Sequence, residues 1–165
     1  MKTVDAIVET PRGSTVKYDY DTASGLFKLK KELPAGMIFP HDFGFIPHTM
    51  GQDGDPLDII IISEFASFPG CLVECKIIGS MQARQKEKKK SKTAIENDRF
   101  LAVPVVSRLF KDTNNIEELP DHVMKELEAF FIQYNQMEGR SFQITGTSGP
   151  GASFKLIKAS VQKNS

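Results

Sequence analysis

The sequence predicts an α+β domain built mainly of β-structure, with a compact β-barrel at its centre and a long helix near its C-terminus. Three observations predict this class. Some segments alternate apolar and polar residues, and others are continuously apolar and bounded by turn residues; both patterns are typical of strands. One segment repeats its apolar residues at helical spacing. The predicted strands cover residues 15–21, 25–33, 56–63, 71–81 and 99–107, and the predicted helix covers 121–137.

Length and charge limit the possible functions. The chain has 165 residues, enough for one domain with its own core, so we expect a single domain over residues 1–165. Lys plus Arg and Asp plus Glu number 21 each, and the formal net charge is zero. Because a balanced chain has no overall field that recruits nucleic acid, membrane or an acidic partner, any charge-dependent function must be local.

The sequence shows no targeting or membrane segment. Met1–Asp5 lacks the apolar core of a signal peptide, and the isoleucine run Ile59–Ile62 is far too short to cross a bilayer. We therefore expect a soluble, cytoplasmic protein.

The first predicted elements form a β-hairpin. Residues 15–21 and 25–33 alternate apolar and polar side chains, and Gly25 supplies the turn between them. Residues 33–50 contain three prolines among several aromatics. Because proline interrupts regular elements, we expect an ordered loop there.

The helix predicted over Asp121–Met137 has one apolar stripe and clear ends. Pro120 and Asp121 are typical of a helix start, and Gly139 is typical of a stop. The tail, residues 148–165, begins with a Gly-Ser-Pro segment that predicts a flexible connector and then a short helix that frays at its end. The stripe consists of Val123, Met124, Leu127, Phe130, Phe131, Tyr134 and Met137.

The cysteines and histidines indicate neither a disulfide nor a zinc site. Cys71 and Cys75 lie four residues apart in strand-like sequence, too far apart along one strand to pair, so we expect reduced thiols in the core. His41, His48 and His122 are scattered without metal-ligand spacing and are expected in turns or on the surface.

An acidic turn precedes the isoleucine strand. The segment DGDPLD places Asp53, Asp55 and Asp58 within six positions, directly before four isoleucines. Crowded carboxylates repel one another, and burying them beside an apolar strand is costly unless a cation or hydrogen bonds compensate. Three oxygen ligands in a Gly-Pro turn suit a hard cation such as Mg²⁺ or Ca²⁺.

This turn has two other interpretations, of which the calcium EF-hand loop fails and the plain acidic turn stays open. Asp53, Asp55 and Glu64 occupy ligand positions of a calcium EF-hand loop, but Asp58 stands where that loop requires glycine, and the flanks are a loop and a strand. A water-exposed acidic β-turn is also common for Asp-Gly sequences.

Several segments together resemble the family I soluble inorganic pyrophosphatases. DGDPLD is similar to the family signature, and VETPRGSTVKYDYD, FPHDFGFIPHT, LAVP and LEAFFIQYN are similar to its other landmarks, in the same order from about residue 7 to 142. The resemblance implies a divergent bacterial-type member with a distorted five-stranded barrel of the OB type and flanking helices. It also implies hydrolysis of pyrophosphate to two orthophosphates by metal-activated water, with Mg²⁺ or, as a substitute, Mn²⁺.

The resemblance also implies roles for nine residues. Asp55 resembles the base that takes the proton from the attacking water. For one metal ligand Asn97 and Asp98 compete, and Asp98 is preferred because an amide adds no charge to offset Mg²⁺. Taken singly, the lysines below could instead be solvated strand faces, and the tyrosine could belong to the core. The metal ligands are Asp53, Asp58, Asp98 and Glu9, and the phosphate-binding residues are Lys17, Lys31, Arg99 and Tyr134.

The sequence departs from the family pattern at several positions. Arg84 stands where the family has a metal-binding carboxylate, with Glu87 as a nearby substitute. Phe39 and Phe43 replace tyrosines, and Asn135 replaces a lysine. Because these changes remove two hydroxyls and one cation from the expected site, reduced activity, altered metal demand and loss of the reaction all stay open.

Two alternative functions follow. One is a catalytically weakened relative that binds metal and phosphate compounds as a sensor or scaffold. The other is a nucleic-acid-binding barrel, because residues 84–92 hold six basic residues and one acidic residue. No aromatic residue that could stack on a base lies between Arg84 and Asn97, which favours a solvated hairpin tip. The resemblance further implies self-association, as hexamers, and a small-molecule substrate, pyrophosphate.

Overall fold

The computed structural model describes residues 1–87 and 94–162. The strands are β1 (Thr3–Thr10), β2 (Val16–Asp21), β3 (Leu26–Glu32), β4 (Asp42–Ile46), β5 (Leu57–Ile61), β6 (Leu72–Glu87), β7 (Ile95–Glu96), β8 (Arg99–Pro104) and β9 (Arg140–Ser148). The helices are α1 (Asp121–Met137) and α2 (Pro150–Ser160), and a short 3₁₀ turn covers Ile116–Glu118.

Five strands close into a ring in the order β1, β4, β5, β8, β6 and back to β1. The β5–β8 pair is parallel, and the other four pairs are antiparallel. β7 and β9 extend the sheet by pairing with β6, while β2 and β3 form a separate hairpin. The predicted five-stranded barrel with flanking helices is confirmed.

The isoleucine run is apolar because both of its faces are buried. Ile59 and Ile61 belong to a cluster that draws on all five strands of the ring and on Ile157 of α2. Ile60 and Ile62 belong to a second cluster that packs against α1. Since successive side chains of a strand point to opposite faces, a strand covered on both sides is continuously hydrophobic.

The predicted hairpin and long helix are confirmed. Gly25 lies between β2 and β3 with φ of 69°, a left-handed conformation that glycine adopts without strain. α1 spans the predicted residues, and Gly139 follows it with φ of 69°. The apolar stripe is buried at Val123, Leu127, Phe130 and Phe131, whereas Met137 at the end of the helix is 51% exposed.

The loop predicted over residues 33–50 is wrong in part, because it contains β4. This strand lies between two of the prolines and pairs with β1 on one side and β5 on the other. A side chain at Gly44 would collide with the carbonyl oxygen of Ile7. Glycine therefore allows this close strand contact, and pairing with two neighbours outweighs the proline signals.

The prediction also fails towards the C-terminus. β6 continues to Glu87, and β9, which pairs along its distal half, was not predicted. The expected flexible connector is wrong because Ser148 ends β9 and Pro150 already begins α2, where proline suits the first helical position. The expected fraying at the end of the chain falls on residues 163–165, outside the described part.

Both cysteines are free, with Cys75 buried and Cys71 half-buried. His48 and His122 are exposed as expected, but His41 is only 8% exposed, which corrects that prediction. It precedes Asp42, whose buried carboxylate accepts hydrogen bonds from two backbone N–H groups and ties this segment to the rest of the fold. Within the described residues, neither helix is both long and apolar enough to cross a membrane.

Candidate active site

A cavity of about 810 Å³ lies between the β2–β3 hairpin, the acidic turn before β5 and the C-terminal half of α1. It brings together eight of the nine side chains for which the sequence predicts a role. Convergence of charged groups that are distant in the chain on one cavity is typical of a binding or catalytic site. The eight are Glu9, Lys17, Lys31, Asp53, Asp55, Asp58, Arg99 and Tyr134.

The acidic turn is held by its own backbone. The Gly51 N–H donates to the Asp55 carbonyl at 2.7 Å, and the Asp55 N–H donates to Oδ1 of Asp53 at 3.0 Å. Gly54 between them has φ of 83°, which favours glycine. The turn therefore fixes the backbone of Asp53 and Asp55 and leaves both side chains exposed at the cavity.

Asp58 lies deeper, within β5, opposite Phe45 of β4 and Arg99 of β8. Burial raises the pKa of this carboxyl, and the positive charge of Arg99 opposes that rise. Asp53 and Asp55 raise the pKa of Asp58 further, because their negative charges disfavour another negative charge nearby.

The three aspartates do not meet at one point. Among residues 1–87 and 94–162, no group of three or more His, Cys, Asp or Glu side chains is arranged to hold a metal ion. This corrects the expectation that the turn itself converges three ligands. The donors still fit magnesium: the seven acidic side chains that line the cavity offer only oxygen, and Mg²⁺ binds through one or two carboxylates completed by water and phosphate. The seven are Glu9, Asp19, Asp21, Asp53, Asp55, Asp58 and Glu138.

Glu9 joins this acidic wall from β1. Burial raises the pKa of its carboxyl to about 7, and the charges of Asp19 and Asp58 add to the rise. The Tyr20 N–H donates to Oε2 of Glu9 at 2.7 Å, and this hydrogen bond opposes part of the rise in the pKa of Glu9. A carboxyl in this position gains from a nearby cation, which makes Glu9 a fitting ligand.

The basic wall is built from the hairpin and α1. Lys17 and Lys31 are direct partners across β2 and β3. The Tyr134 ring lies 4.2 Å from Nζ of Lys31 and 5.7 Å from Nζ of Lys17. Burial disfavours the charge of Lys17, but Tyr134 and Asp19 outweigh it and raise its pKa. Two ammonium groups and one phenol thus face the same end of the cavity.

Arg99 is fixed more firmly than the lysines. Its guanidinium lies 4.3 Å from the ring centre of Phe131 and 5.0 Å from that of Phe142, and Nη1 donates to the Asn97 carbonyl at 3.0 Å. The residue is only 8% exposed, so burial lowers its pKa while the charge of Asp58 opposes the change. A planar cation held on two rings presents its remaining donors in a fixed direction.

Asp98, the ninth predicted residue, does not line the cavity. Burial raises the pKa of its half-buried carboxyl, and the backbone N–H of Ala83 on β6 opposes that rise. Asn97 lines the cavity instead, and its Nδ2 donates to Oε1 of Gln85 at 3.4 Å. Of the two residues that compete for this ligand position, the structure therefore places the neutral one in the cavity.

Comparison with known proteins gives the same family along nearly the whole chain. The family profile described as inorganic pyrophosphatase matches residues 6–165. The inorganic pyrophosphatase of Geobacillus stearothermophilus is 36% identical over 156 residues, which are 94% of this chain and 90% of that protein. The chain belongs to the inorganic pyrophosphatase family.

Other members agree with this assignment. Soluble inorganic pyrophosphatase 5 of Arabidopsis thaliana is 31% identical over 157 residues, which are 95% of this chain and 69% of that protein. The crystal structure of the inorganic pyrophosphatase from Thermus thermophilus superimposes with a TM-score of 0.88 at 29% identity and covers 97% of this chain and 90% of that one. The predicted family and its OB-type fold are confirmed.

The residues that depart from the pyrophosphatase pattern also line the cavity. Phe39 and Phe43 meet edge to face, with ring centres 4.9 Å apart, and Phe43 stacks on Phe131 at 5.3 Å. Asn135 is buried and donates from Nδ2 to the carbonyl of Phe131 in its own helix. This wall is therefore apolar and closed by packing where hydroxyls and a cation are expected.

The departures on β6 lie elsewhere. Arg84 is exposed, pairs with Glu96 and Gln143 on the neighbouring strands, and does not line the cavity. The side chain of Glu87 and residues 88–93, which hold most of the basic stretch, are outside the described part of the chain. The basic stretch consequently adds nothing to the site as described.

Sequence reasoning missed five charged residues of this cavity: Asp19, Asp21, Lys30, Glu138 and Arg140. Asp19 pairs with Lys30 at 2.6 Å and with Lys17 at 3.4 Å, and Glu138 contacts Lys31. Sequence spacing could have found two of them, Asp19 and Glu138. Asp19 is two residues from Lys17 in a strand, and Glu138 is four residues beyond Tyr134 at the end of a helix, so each shares a face with a predicted residue.

Proposed function

We propose that this protein hydrolyses inorganic pyrophosphate to two orthophosphates with the help of Mg²⁺. One observation carries the proposal: a single cavity is lined both by carboxylates and by a basic set of two lysines, one arginine and one tyrosine. The carboxylates suit a divalent cation, and the basic set suits the oxygens of a highly charged phosphoanhydride.

Glu9, Asp53 and Asp58 are the residues that would hold the cation. A bound divalent cation lowers the pKa of water and offsets the charge that develops on phosphate oxygens. Asp55 is exposed at the cavity on a turn fixed by its own hydrogen bonds, so it is placed to accept the proton of the attacking water.

The basic wall binds and orients the substrate. Lys17 and Lys31 take phosphate oxygens at the hairpin end, and the hydroxyl of Tyr134 donates there as well. Arg99, held on Phe131 and Phe142, supplies a third cation for these oxygens. These fixed cations stabilise charge on the leaving phosphate at little cost of reorganisation.

The test is phosphate release from pyrophosphate by the wild-type chain with and without Mg²⁺, and by Asp55→Asn. The variant should lose turnover by about a hundredfold or more, because it lacks the proton acceptor, and should unfold at an unchanged temperature, since Asp55 is exposed. Asp112→Asn, an exposed aspartate away from the cavity, is the matched control and should be fully active.

Unchanged turnover in Asp55→Asn would remove the proposed base. If the wild-type chain binds phosphate and Mg²⁺ but releases no phosphate from pyrophosphate, it is a binding protein of the same family and not an enzyme.

Self-association and location are part of the proposal. Large apolar side chains are exposed, among them Val106 at 75% and Leu109 at 69%, and such residues are often covered in oligomers. Light scattering of the purified chain tests the hexamer, and a monomer would contradict it.

The expected cytoplasmic location has separate support. Free Cys71 and Cys75 fit the reducing cytoplasm.

A further inference from the structure

Two like charges face each other on the hairpin. Lys17 and Lys31 are direct cross-strand partners, and their side chains are only 28% and 26% exposed. Like charges opposite each other in a sheet destabilise it, and partial burial weakens the screening by water. A stable hairpin therefore needs negative charge beside this pair.

Two carboxylates supply it, and they do so differently. Asp19 lies on the hairpin itself and is shared between Lys30 and Lys17. Glu138 comes from the end of α1, more than a hundred residues away in the chain, and its carboxylate contacts Nζ of Lys31. Lys31, Arg140 and Lys17 together lower the pKa of Glu138, so it is charged at neutral pH.

The electrostatics of α1 do not favour a carboxylate at Glu138. It follows the last residue of α1, and its backbone N–H donates to the carbonyl of Asn135. The C-terminal end of a helix carries partial negative charge, which disfavours a carboxylate there. The favourable interactions of this side chain are those with the cations of the cavity.

The position of Glu138 matches that of a ligand. It lines the cavity beside Tyr134, whose ring lies 4.2 Å from Nζ of Lys31. The carboxylate is one-third exposed, so solvent and solutes can reach it. We infer that Glu138 stands in for a phosphate group of the substrate: it binds Lys31 when the cavity holds no phosphate and is displaced when phosphate binds. This inference rests on the proposed function.

Phosphate should displace Glu138 from Lys31 and not the reverse. An incoming phosphate group carries more negative charge and more acceptor oxygens than one carboxylate, so it competes well for Lys31 and repels Glu138. Glu138 therefore lowers the affinity of the hairpin end for phosphate. The same competition favours release of the product, which leaves from the same cations.

The test is the affinity for inorganic phosphate, measured by calorimetry at low salt on the full chain. Glu138→Gln keeps the shape of the side chain and removes its charge. It should lower the phosphate Kd by about fivefold, the effect expected for a partly exposed ion pair. The KM for pyrophosphate should fall similarly while kcat does not rise, and the gain should shrink at about 0.5 M KCl.

The matched control is Glu128→Gln, an exposed glutamate on α1 that does not line the cavity; its phosphate Kd should not change. Glu138→Ser gives a second neutral variant and should act in the same direction. An unchanged or higher Kd in both Glu138 variants, or an equal gain in the control, would overturn the inference.

The outcomes separate this inference from the proposed function. If the wild-type chain binds phosphate and hydrolyses pyrophosphate but the Glu138 variants bind phosphate no more tightly, only the role of Glu138 fails. If the wild-type chain neither binds phosphate nor hydrolyses pyrophosphate, both fail together.

Discussion

Asp58 of β5 and Arg99 of β8 are direct partners where these two strands run parallel. Burial raises the pKa of the carboxyl and lowers the pKa of the guanidinium, and each charge favours the other. The pair joins the acidic and basic walls of the cavity. Because the aromatic rings of Phe131 and Phe142 hold the guanidinium, the electrostatics of Asp58 depend on packing as well as on charge.

Replacing Arg99 with lysine should therefore be costly although the charge is kept. Lysine loses the planar stack on two rings and the donor geometry towards phosphate. We expect pyrophosphate turnover to fall about tenfold or more, and the free energy of unfolding to fall by about 1–2 kcal/mol, the strength of a desolvated cation–π contact. Initial rates and urea unfolding measure the two effects.

Arg108→Lys is the control for this substitution, because Arg108 is exposed and lies outside the cavity. Its free energy of unfolding should stay within about 0.5 kcal/mol of the wild-type value. Full turnover and stability in Arg99→Lys would show that the rings do not fix this cation.

Glu9 predicts a pH dependence of the metal-free protein. Its pKa is raised from 4.5 to about 7, so its contribution to stability is complete below pH 4.5 and is lost as the pH rises through 7. Glu9→Gln removes that loss and keeps an oxygen for the Tyr20 N–H. With EDTA present, the variant should become more stable than the wild type as the pH rises, by up to roughly 3 kcal/mol at pH 8.

Denaturant unfolding from pH 4.5 to 8 checks this expectation. Added Mg²⁺ should reduce the difference, since a cation beside Glu9 favours the ionised carboxyl of the wild type. Glu74→Gln, exposed on β6, should leave the pH profile unchanged. A constant difference between Glu9→Gln and wild type at all pH values would contradict the burial argument.

Local patterns predicted those parts of the molecule that local forces determine. The spacing of Leu127, Phe130 and Phe131 predicted α1 because one face of that helix packs on the sheet. The alternation around Gly25 predicted the hairpin, and the isoleucine run predicted a strand. The family motifs then predicted eight side chains of the cavity, because motif order fixes which strand ends meet.

The rest depends on contacts between distant segments. β4 forms because Gly44 lets β1 approach, a relationship with no local signal in a proline-rich segment. Glu138 enters the cavity because the hairpin brings Lys31 to the end of α1. Asn97 and Asp98 are neighbours in the chain, and only the register of β8 against β6 determines which one faces the cavity.

His41 predicts acid sensitivity of the opposite sign to that of Glu9. Burial, aided by the charge of Arg12, lowers its pKa from 6.5 to about 4. Its contribution to stability is therefore complete above pH 6.5 and is lost as the pH falls through 4. Within the described residues its Nδ1 has no hydrogen-bond partner, so His41→Leu breaks no bond at that atom.

Between pH 6.5 and 4, His41→Leu should lose less stability than the wild type, measured by unfolding in urea. An equal loss in the two proteins would refute the prediction. His122→Leu, which changes an exposed histidine, is the control and should leave the acid profile unchanged.

Asn97→Asp should strengthen magnesium binding, whereas Asp98→Asn should not weaken it. Asn97 faces the cavity, so a carboxylate there adds a charged oxygen ligand on the side where the family pattern has one. Asp98 does not line the cavity, and asparagine keeps an acceptor oxygen for the nearby backbone N–H of Ala83. We expect the Mg²⁺ Kd to fall about threefold to tenfold in Asn97→Asp and to stay within about twofold in Asp98→Asn, measured by calorimetry.

Without Mg²⁺, Asn97→Asp should be less stable than the wild type, because its carboxylate adds to the repulsion around Asp58. Much weaker Mg²⁺ binding in Asp98→Asn would instead mean that Asp98 turns into the cavity to reach the cation, and that Asn97 only lines its wall.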